Sequence, residues 1–211
     1  MSKRLVGQGR SADVYEAGDD GAWVLRRYRN GGDTAREARL MTRLAEAGYP
    51  VPAVREAAGP DLVMERLRGP SLLDGLLAGT YGPESAGVLL AGLLDRLHAL
   101  PGGLVHLDLH PGNVVLSEDR GPVVIDWSTA EEGGEPGLDR AMSALILAEV
   151  AVSPAPYAPG ARAGLAALLS AAGTPLLLPE ARRLRAADPN LTPAEVAALD
   201  GAEELVRSLA G

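Results

Sequence analysis

Two short stretches carry side chains whose types and spacing suit phosphoryl transfer. His106-Leu-Asp108-Leu-His110-Pro-Gly-Asn113 runs into the apolar Val114–Leu116, and Val123–Trp127 reads Val-Val-Ile-Asp-Trp. Each is built around a β-branched, apolar run with polar groups at its end, which predicts that Asp108 and Asp126 stand at strand or loop edges facing a cleft. Asn113 and Asp126 offer the hard oxygen ligands that Mg²⁺ prefers, and Asp108 is left to orient or deprotonate a hydroxyl. A second reading is a zinc or iron centre, because His106, Asp108 and His110 alternate, His98 is near in sequence, and residues at that spacing share one face of an extended strand. That reading gives Asn113, Asp126 and the N-terminal glycines no role.

The elements that must position these groups follow from pattern. Leu5–Glu16 reads as strand, glycine turn, strand; Gly7 and Gly9 lack a Cβ, so their backbone can approach phosphate oxygens and offer N–H groups, although two glycines between strands also make an ordinary hairpin. Ala22–Tyr28 is the next strand. Asp33–Gly48 has amphipathic helical spacing, with Asp33 or Thr34 as cap and Glu37 in the first turn. Val51–Glu56 and Asp61–Glu65 complete a small antiparallel sheet, and Gly69-Pro70 marks a boundary. From Ser71 the chain turns helical: Ser71–Ala78, Pro83–Leu100 with a wide leucine stripe, Leu138–Val152, then Ala161–Ala172, Pro179–Ala187 and Thr192–Leu209, with Pro154–Gly160 as a linker or loop. Thr192-Pro-Ala-Glu195 spells a capping box with proline at the first helical position. His98 fits packing or capping, and Asp139 fits an N-cap or first-turn acid.

Bulk properties narrow the classes. The chain has 211 residues, a net charge of −8 and no cysteine. It is long enough for one good-sized domain or two lobes, and no solenoid period appears. The acidity, with a pI near 4.9, argues against a nucleic-acid surface or an anionic membrane and suits a cationic partner. No disulfide or thiolate chemistry is open to it. Met1–Arg10 lacks the apolar core of a signal segment, and no apolar run reaches the roughly 18 residues needed to span a bilayer, so a cytoplasmic location is expected. Lys3 is the only lysine; arginine carries nearly all the positive charge.

The spacing His106-x-Asp108-x-x-x-x-Asn113, followed by Asp126, resembles the aminoglycoside phosphotransferase and choline kinase branch of the protein-kinase-like fold. Ile125-Asp126-Trp127 in place of Asp-Phe-Gly, and His110-Pro-Gly in place of Lys-Pro-Glu, look like the small-molecule kinases. The resemblance implies an α+β, two-lobed fold. Residues 1–67 would form a nucleotide-binding lobe with an antiparallel sheet and one helix, and residues 68–211 a mainly helical lobe with the catalytic loop and acceptor site. It implies ATP and Mg²⁺ as cofactors and a small hydroxylated acceptor. Asp108 would be catalytic, Asn113 and Asp126 the metal ligands, His106 a brace, and Asp139 resembles a family Asp that braces the catalytic loop. The nucleotide would meet Gly7, Gly9, Ser11, Val14 and Val115, with its adenine edge at the backbone of Glu65 and Leu67. Ala12 stands where a third glycine is usual, and Arg26 where the family usually carries a phosphate-contacting lysine; Arg26 would pair with Glu37. Lys3 lies too early to replace that lysine. The short, acidic, glycine-rich run Ser128–Asp139 leaves no peptide-docking segment, which points to a small acceptor. A nucleotide-binding pseudokinase with a regulatory or interaction role is the alternative. Acceptor identity and oligomeric state are not legible in the sequence.

Overall fold

The computed structural model describes residues 4–9, 11–18, 20–171 and 176–211. Lys3 and Ala172 lie outside them. The chain divides into two compact units: the N-terminal part through Gly69 together with Val115–Ser128, and Pro70–Val114 together with Thr129–Gly211.

The first unit is built on a five-stranded antiparallel sheet. Strands β1 (Leu5–Gln8), β2 (Ala12–Ala17), β3 (Trp23–Tyr28), β4 (Val54–Ala58) and β5 (Asp61–Glu65) lie in the order β1-β2-β3-β5-β4. Alternation along β3 buries Val24 and Arg26 along with Leu25, and β5 contributes Leu62 and Met64 to the interior. Helix α1 (Ala35–Glu46) packs on β4 through Ala38, Leu40, Met41 and Leu44. Thr34 occupies its N-cap position but makes no side-chain cap; its hydroxyl donates instead to Gly59 O and Asp61 O, while Asp33 Oδ1 accepts from the amide of Ala35. Strand β4 begins three residues later than the expected Val51, because Pro50 and Pro52 have no N–H to give a ladder. The hairpin β6 (Val114–Ser117) and β7 (Gly121–Val124) brings Asp126 and Trp127 into this unit from Val115 onward. The Trp127 ring is buried edge-on to Tyr49, centroids 5.5 Å apart, and its indole N–H donates to Val124 O.

The second unit is helical: α2 (Leu72–Leu77), α3 (Pro83–His98), α4 (Pro136–Ala151), α5 (Ala158–Ala171), α6 (Leu178–Ala186) and α7 (Pro193–Ala210). The nearly all-apolar α4 is buried against α3, α5, α6 and α7, and it opens at Pro136 rather than Leu138. The capping box at Thr192 and Glu195 forms as the sequence predicts, with a further box at Ser71 and Asp74. Helix α5 begins at Ala158, inside the stretch expected to be linker, since Pro159 fits a first helical turn. Among the described residues no helix is long and apolar enough to cross a membrane.

Helices α3 and α5 meet at glycine. A Cβ on Gly87 would lie 2.1 Å from Gly164 O and 2.9 Å from the Ala167 Cβ, whereas one on Gly92, also in α3, would meet nothing within 4 Å. Gly87→Ala is therefore expected to cost about 2 kcal/mol or more by overpacking, and Gly92→Ala to gain about 0.5–1 kcal/mol from helix propensity. Urea denaturation of both variants checks the contrast.

Candidate active site

The loop carrying Asp108 is held from beneath. Asp139, wholly buried in the first turn of α4, accepts from the backbone N–H of His106 at 2.9 Å and of Leu107 at 2.7 Å, and its Oδ2 lies 2.9 Å from His98 Nε2. Of the two readings open for Asp139, this geometry selects the brace. Its grip matters because Leu107 has φ +63°, a left-handed conformation that a leucine adopts only when its surroundings impose it. Of the strand or loop edge expected for Asp108, the structure has the loop: Val105 bridges to Glu131, and Leu107, two residues on, leaves extended geometry. His106 is buried. Its Nδ1 accepts from the Asp108 amide at 3.2 Å and its carbonyl from Thr129 Oγ1 at 2.9 Å, so it supports the loop.

Asp108 and Asn113 are brought together. Asn113 opens out of the 3₁₀ turn Pro111–Asn113 and donates through Nδ2 to Asp108 O at 2.9 Å and Asp108 Oδ2 at 3.1 Å, which leaves its amide oxygen to serve as a ligand. His110 caps that turn, Nδ1 accepting from the Gly112 amide, with Nε2 3.9 Å from Asp108 Oδ2. A cation that sequence reasoning missed stands beside them. Arg185 of α6 grips Glu149 of α4 with two hydrogen bonds and brings Nη1 to 3.4 Å from Asp188 and 4.0 Å from Asp108 Oδ1. Burial opposes its charge, but the bond to Glu149 and the carboxylates raise its pKa above the ordinary arginine value. Only helical periodicity marked α6, so nothing in the sequence linked position 185 to position 108.

The first unit holds the remaining candidates. Asp126 has φ +62°, and its Oδ1 accepts from Ser128 Oγ at 2.8 Å and from Arg26 Nη1 at 3.3 Å. Arg26 and Glu37, 7% and 6% exposed, form the expected ion pair, and the Glu37 carboxylate also accepts from the Trp127 amide. Burial opposes the Arg26 charge, and Glu37 and Asp126 outweigh it, so the guanidinium pKa is raised. Gly7 pairs with Val14 across β1 and β2. The Gly9 amide donates to Ala12 O at 2.8 Å and the Gly9 carbonyl accepts from Arg29, itself bound to Asp13, so this N–H closes the turn rather than being offered outward as expected. Ser11, Val14, Val115, Glu65 and Leu67 are all half-buried in this unit, and the Glu65 amide is taken by Ala53 O.

Among the described residues no three His, Cys, Asp or Glu side chains gather as a metal site. The imidazole reading loses its support, because His106 is turned to the backbone and His98 to Asp139. Asp139→Ala would strand two buried amides and His98 together, an expected cost of about 3 kcal/mol or more. Hydrogen exchange should show the His106 and Leu107 amides losing protection in that variant even under conditions where α7 keeps its own.

The chain matches the phosphotransferase enzyme family (APH) over residues 4–103 and again over residues 65–186. It is 35% identical over 103 residues to a probable bifunctional tRNA threonylcarbamoyladenosine biosynthesis protein of Methanoculleus marisnigri, a match covering 48% of this chain and 18% of that one. It is 33% identical over 140 residues to the DNA damage-responsive serine/threonine-protein kinase RqkA of Deinococcus radiodurans, covering 58% and 21%. The matched segments thus span about a fifth of these curated relatives. In structure it resembles the aminoglycoside phosphotransferase APH(4)-Ia at a TM-score of 0.60 and 18% identity, covering 100% of this chain and 94% of that one. It also resembles the APH(2'')-IIa of a gentamicin complex, at 0.57 and 14%, covering 98% and 91%, and ADP-bound APH(2'')-Ib, at 0.53 and 12%, covering 99% and 93%. A five-stranded sheet with one helix, a helical remainder and two family matches that together run from residue 4 to residue 186 place this chain in the phosphotransferase enzyme family.

Proposed function

We propose that this phosphotransferase moves the γ-phosphoryl group of ATP to a hydroxyl of a small molecule. Residues 1–67 act as the nucleotide lobe and residues 68–211 as the lobe that carries the catalytic loop and the acceptor. The observation that carries the reading is the Asp108–Asn113 pair on a loop whose strained backbone is fixed by Asp139. Such a pair presents a carboxylate to a hydroxyl and an amide oxygen to a cation from one rigid support.

The donor chemistry fits Mg²⁺. Asn113 keeps its oxygen after Nδ2 is committed to Asp108, and Asp126 keeps Oδ2 after Oδ1 is committed to Arg26 and Ser128. When bound, the ion supplies positive charge at the phosphate oxygens. Asp108 orients the acceptor hydroxyl; as the hydroxyl oxygen bonds to the γ-phosphorus and the bond to the β–γ bridging oxygen breaks, Asp108 takes the hydroxyl proton. Arg26, fixed in charge between Glu37 and Asp126, faces the phosphates. Gly7, Ser11, Val14, Val115 and the backbone at Glu65 and Leu67 line the nucleotide, with Gly9 shaping the turn. One structural neighbour is described as ADP-bound and another as a gentamicin complex, which supports a nucleotide donor and a small acceptor here.

A small acceptor is also favoured by the segment after Asp126. Glu131 exchanges backbone hydrogen bonds with Val105, and Gly133 and Gly134 donate to Gly102 O and Gly103 O at 2.8 Å each, so this run is stitched down rather than extended as a peptide platform. The pseudokinase alternative rests on arginine at position 26, yet that arginine keeps its charge and its carboxylate partners. Arg185 pairs with Glu149 and Asp188 and stands beside Asp108, so it offsets their charge; the net charge of −8 is what suits a cationic acceptor.

Asp108→Asn should keep ATP affinity within about twofold and lower turnover at least a hundredfold. Nucleotide consumption with a panel of aminoglycosides, other hydroxylated antibiotics, choline-like amines and sugars measures it. Turnover that survives the substitution would remove Asp108 from the chemistry.

A further inference from the structure

Replacing a lysine by an arginine changes the number of donors to be satisfied. An ammonium has three rotatable N–H groups at one point; a guanidinium has five in a rigid plane. At Arg26 the surplus is met by Tyr28. The two residues are two apart on β3 and therefore share a face. Arg26 Nη2 donates to Glu37 and also to Tyr28 Oη at 2.5 Å, and the Tyr28 hydroxyl donates onward to Glu37 Oε2 at 2.8 Å. The guanidinium carbon stands 4.9 Å from the centre of the Tyr28 ring. Tyr28 thus accepts from the arginine and donates to the carboxylate, closing a three-membered ring of polar contacts that a lysine at position 26 would not need.

The phenol can play both parts only while it keeps its proton. Burial raises its pKa, Glu37 adds to that, and the Arg26 charge opposes it, with a net upward result. With Nη2 clamped at two points and Nη1 turned to Asp126, the plane of the guanidinium is fixed. Arg26 Nη1 carries two N–H groups and donates one to Asp126, so its second remains for another acceptor, while Nε is buried away from any ligand.

We propose that Tyr28 is the positioning residue that lets arginine serve in the lysine's place: it fixes the guanidinium plane so that the remaining N–H of Arg26 Nη1 meets the phosphates of the bound nucleotide. This rests on the reading of Arg26 as a phosphate-contacting group. Tyr28 touches no substrate itself; its effect passes through Arg26, which predicts that it matters for phosphates and not for the base or the sugar.

Calorimetric titration of the full chain with Mg-ATP, Mg-ADP and adenosine tests this, using wild type, Tyr28→Phe, Arg26→Lys and the double variant. Tyr28→Phe should weaken both nucleotides about three- to tenfold, the size of one lost hydrogen bond to a charged group, and leave adenosine within about twofold. In the Arg26→Lys background the same change should add less than about twofold, because the donor it serves is gone. Equal losses for ATP and adenosine, or an undiminished effect of Tyr28→Phe beside Lys at position 26, would make Tyr28 merely structural and overturn the proposal, as would unchanged nucleotide affinity. A wild-type protein that binds adenosine but gains nothing from the phosphates would overturn the role of Arg26, and this inference with it. One that binds neither would overturn the nucleotide reading as a whole.

Discussion

A single buried carboxylate supports the chemistry of the second unit. Asp139 has no exposure, yet it is ringed by two backbone amides and an imidazole, so its desolvation is offset by several partners at once. What that arrangement secures is a backbone shape. Leu107 in the left-handed region costs on the order of 1–3 kcal/mol, and it turns the chain so that Asp108 leaves the loop beside Asn113. Without the carboxylate the loop would relax toward the extended geometry its alternating sequence favours.

The first unit solves a parallel problem around a cation. Glu37, brought by α1, and Asp126, brought by the turn after β7, converge on Arg26 of β3. Asp126 is also held at positive φ, so both acids assigned to the chemistry sit next to or within strained backbone: residue 107 precedes one, and residue 126 is the other. Strain at both places is maintained by partners drawn from distant sequence, Asp139 and Glu37 respectively; Glu37 fixes the Trp127 amide just past Asp126. The chain passes from one unit to the other directly after Val114.

Much of this was legible before the coordinates. Period-two and period-3.6 patterns located the five strands and the helices, and the Thr192–Glu195 box marked the start of α7, because these signals are local. The candidate site residues were proposed from the joint spacing of Asp108, Asn113 and Asp126, of which the structure joins Asp108 to Asn113 by hydrogen bonds. Legibility failed where a contact joins elements far apart without a motif. Arg185 reaches Asp108 across a gap in sequence that no pattern bridges, and Tyr28 looked like an ordinary strand aromatic because its importance comes only from the arginine it serves. The pattern around His106 left strand or loop edge open for Asp108; the loop is what forms, because the hydrogen bonds of Asp139 stabilise a conformation at Leu107 that local propensity disfavours. Proline displaced element ends in both directions, delaying β4 and starting α5 early.

We propose that ATP binds with Mg²⁺ and that Asn113 and Asp126 each offer an oxygen ligand. The magnesium dependence of ATP affinity tests it most directly, compared by calorimetry between wild type and the Asn113→Ala and Asp126→Ala variants. The account predicts that Mg²⁺ tightens ATP binding by the wild type at least about tenfold, or about 1.4 kcal/mol, and that either substitution abolishes most of that gain while the protein stays folded. Wild-type affinity indifferent to Mg²⁺, or a gain that survives in both variants, would contradict it.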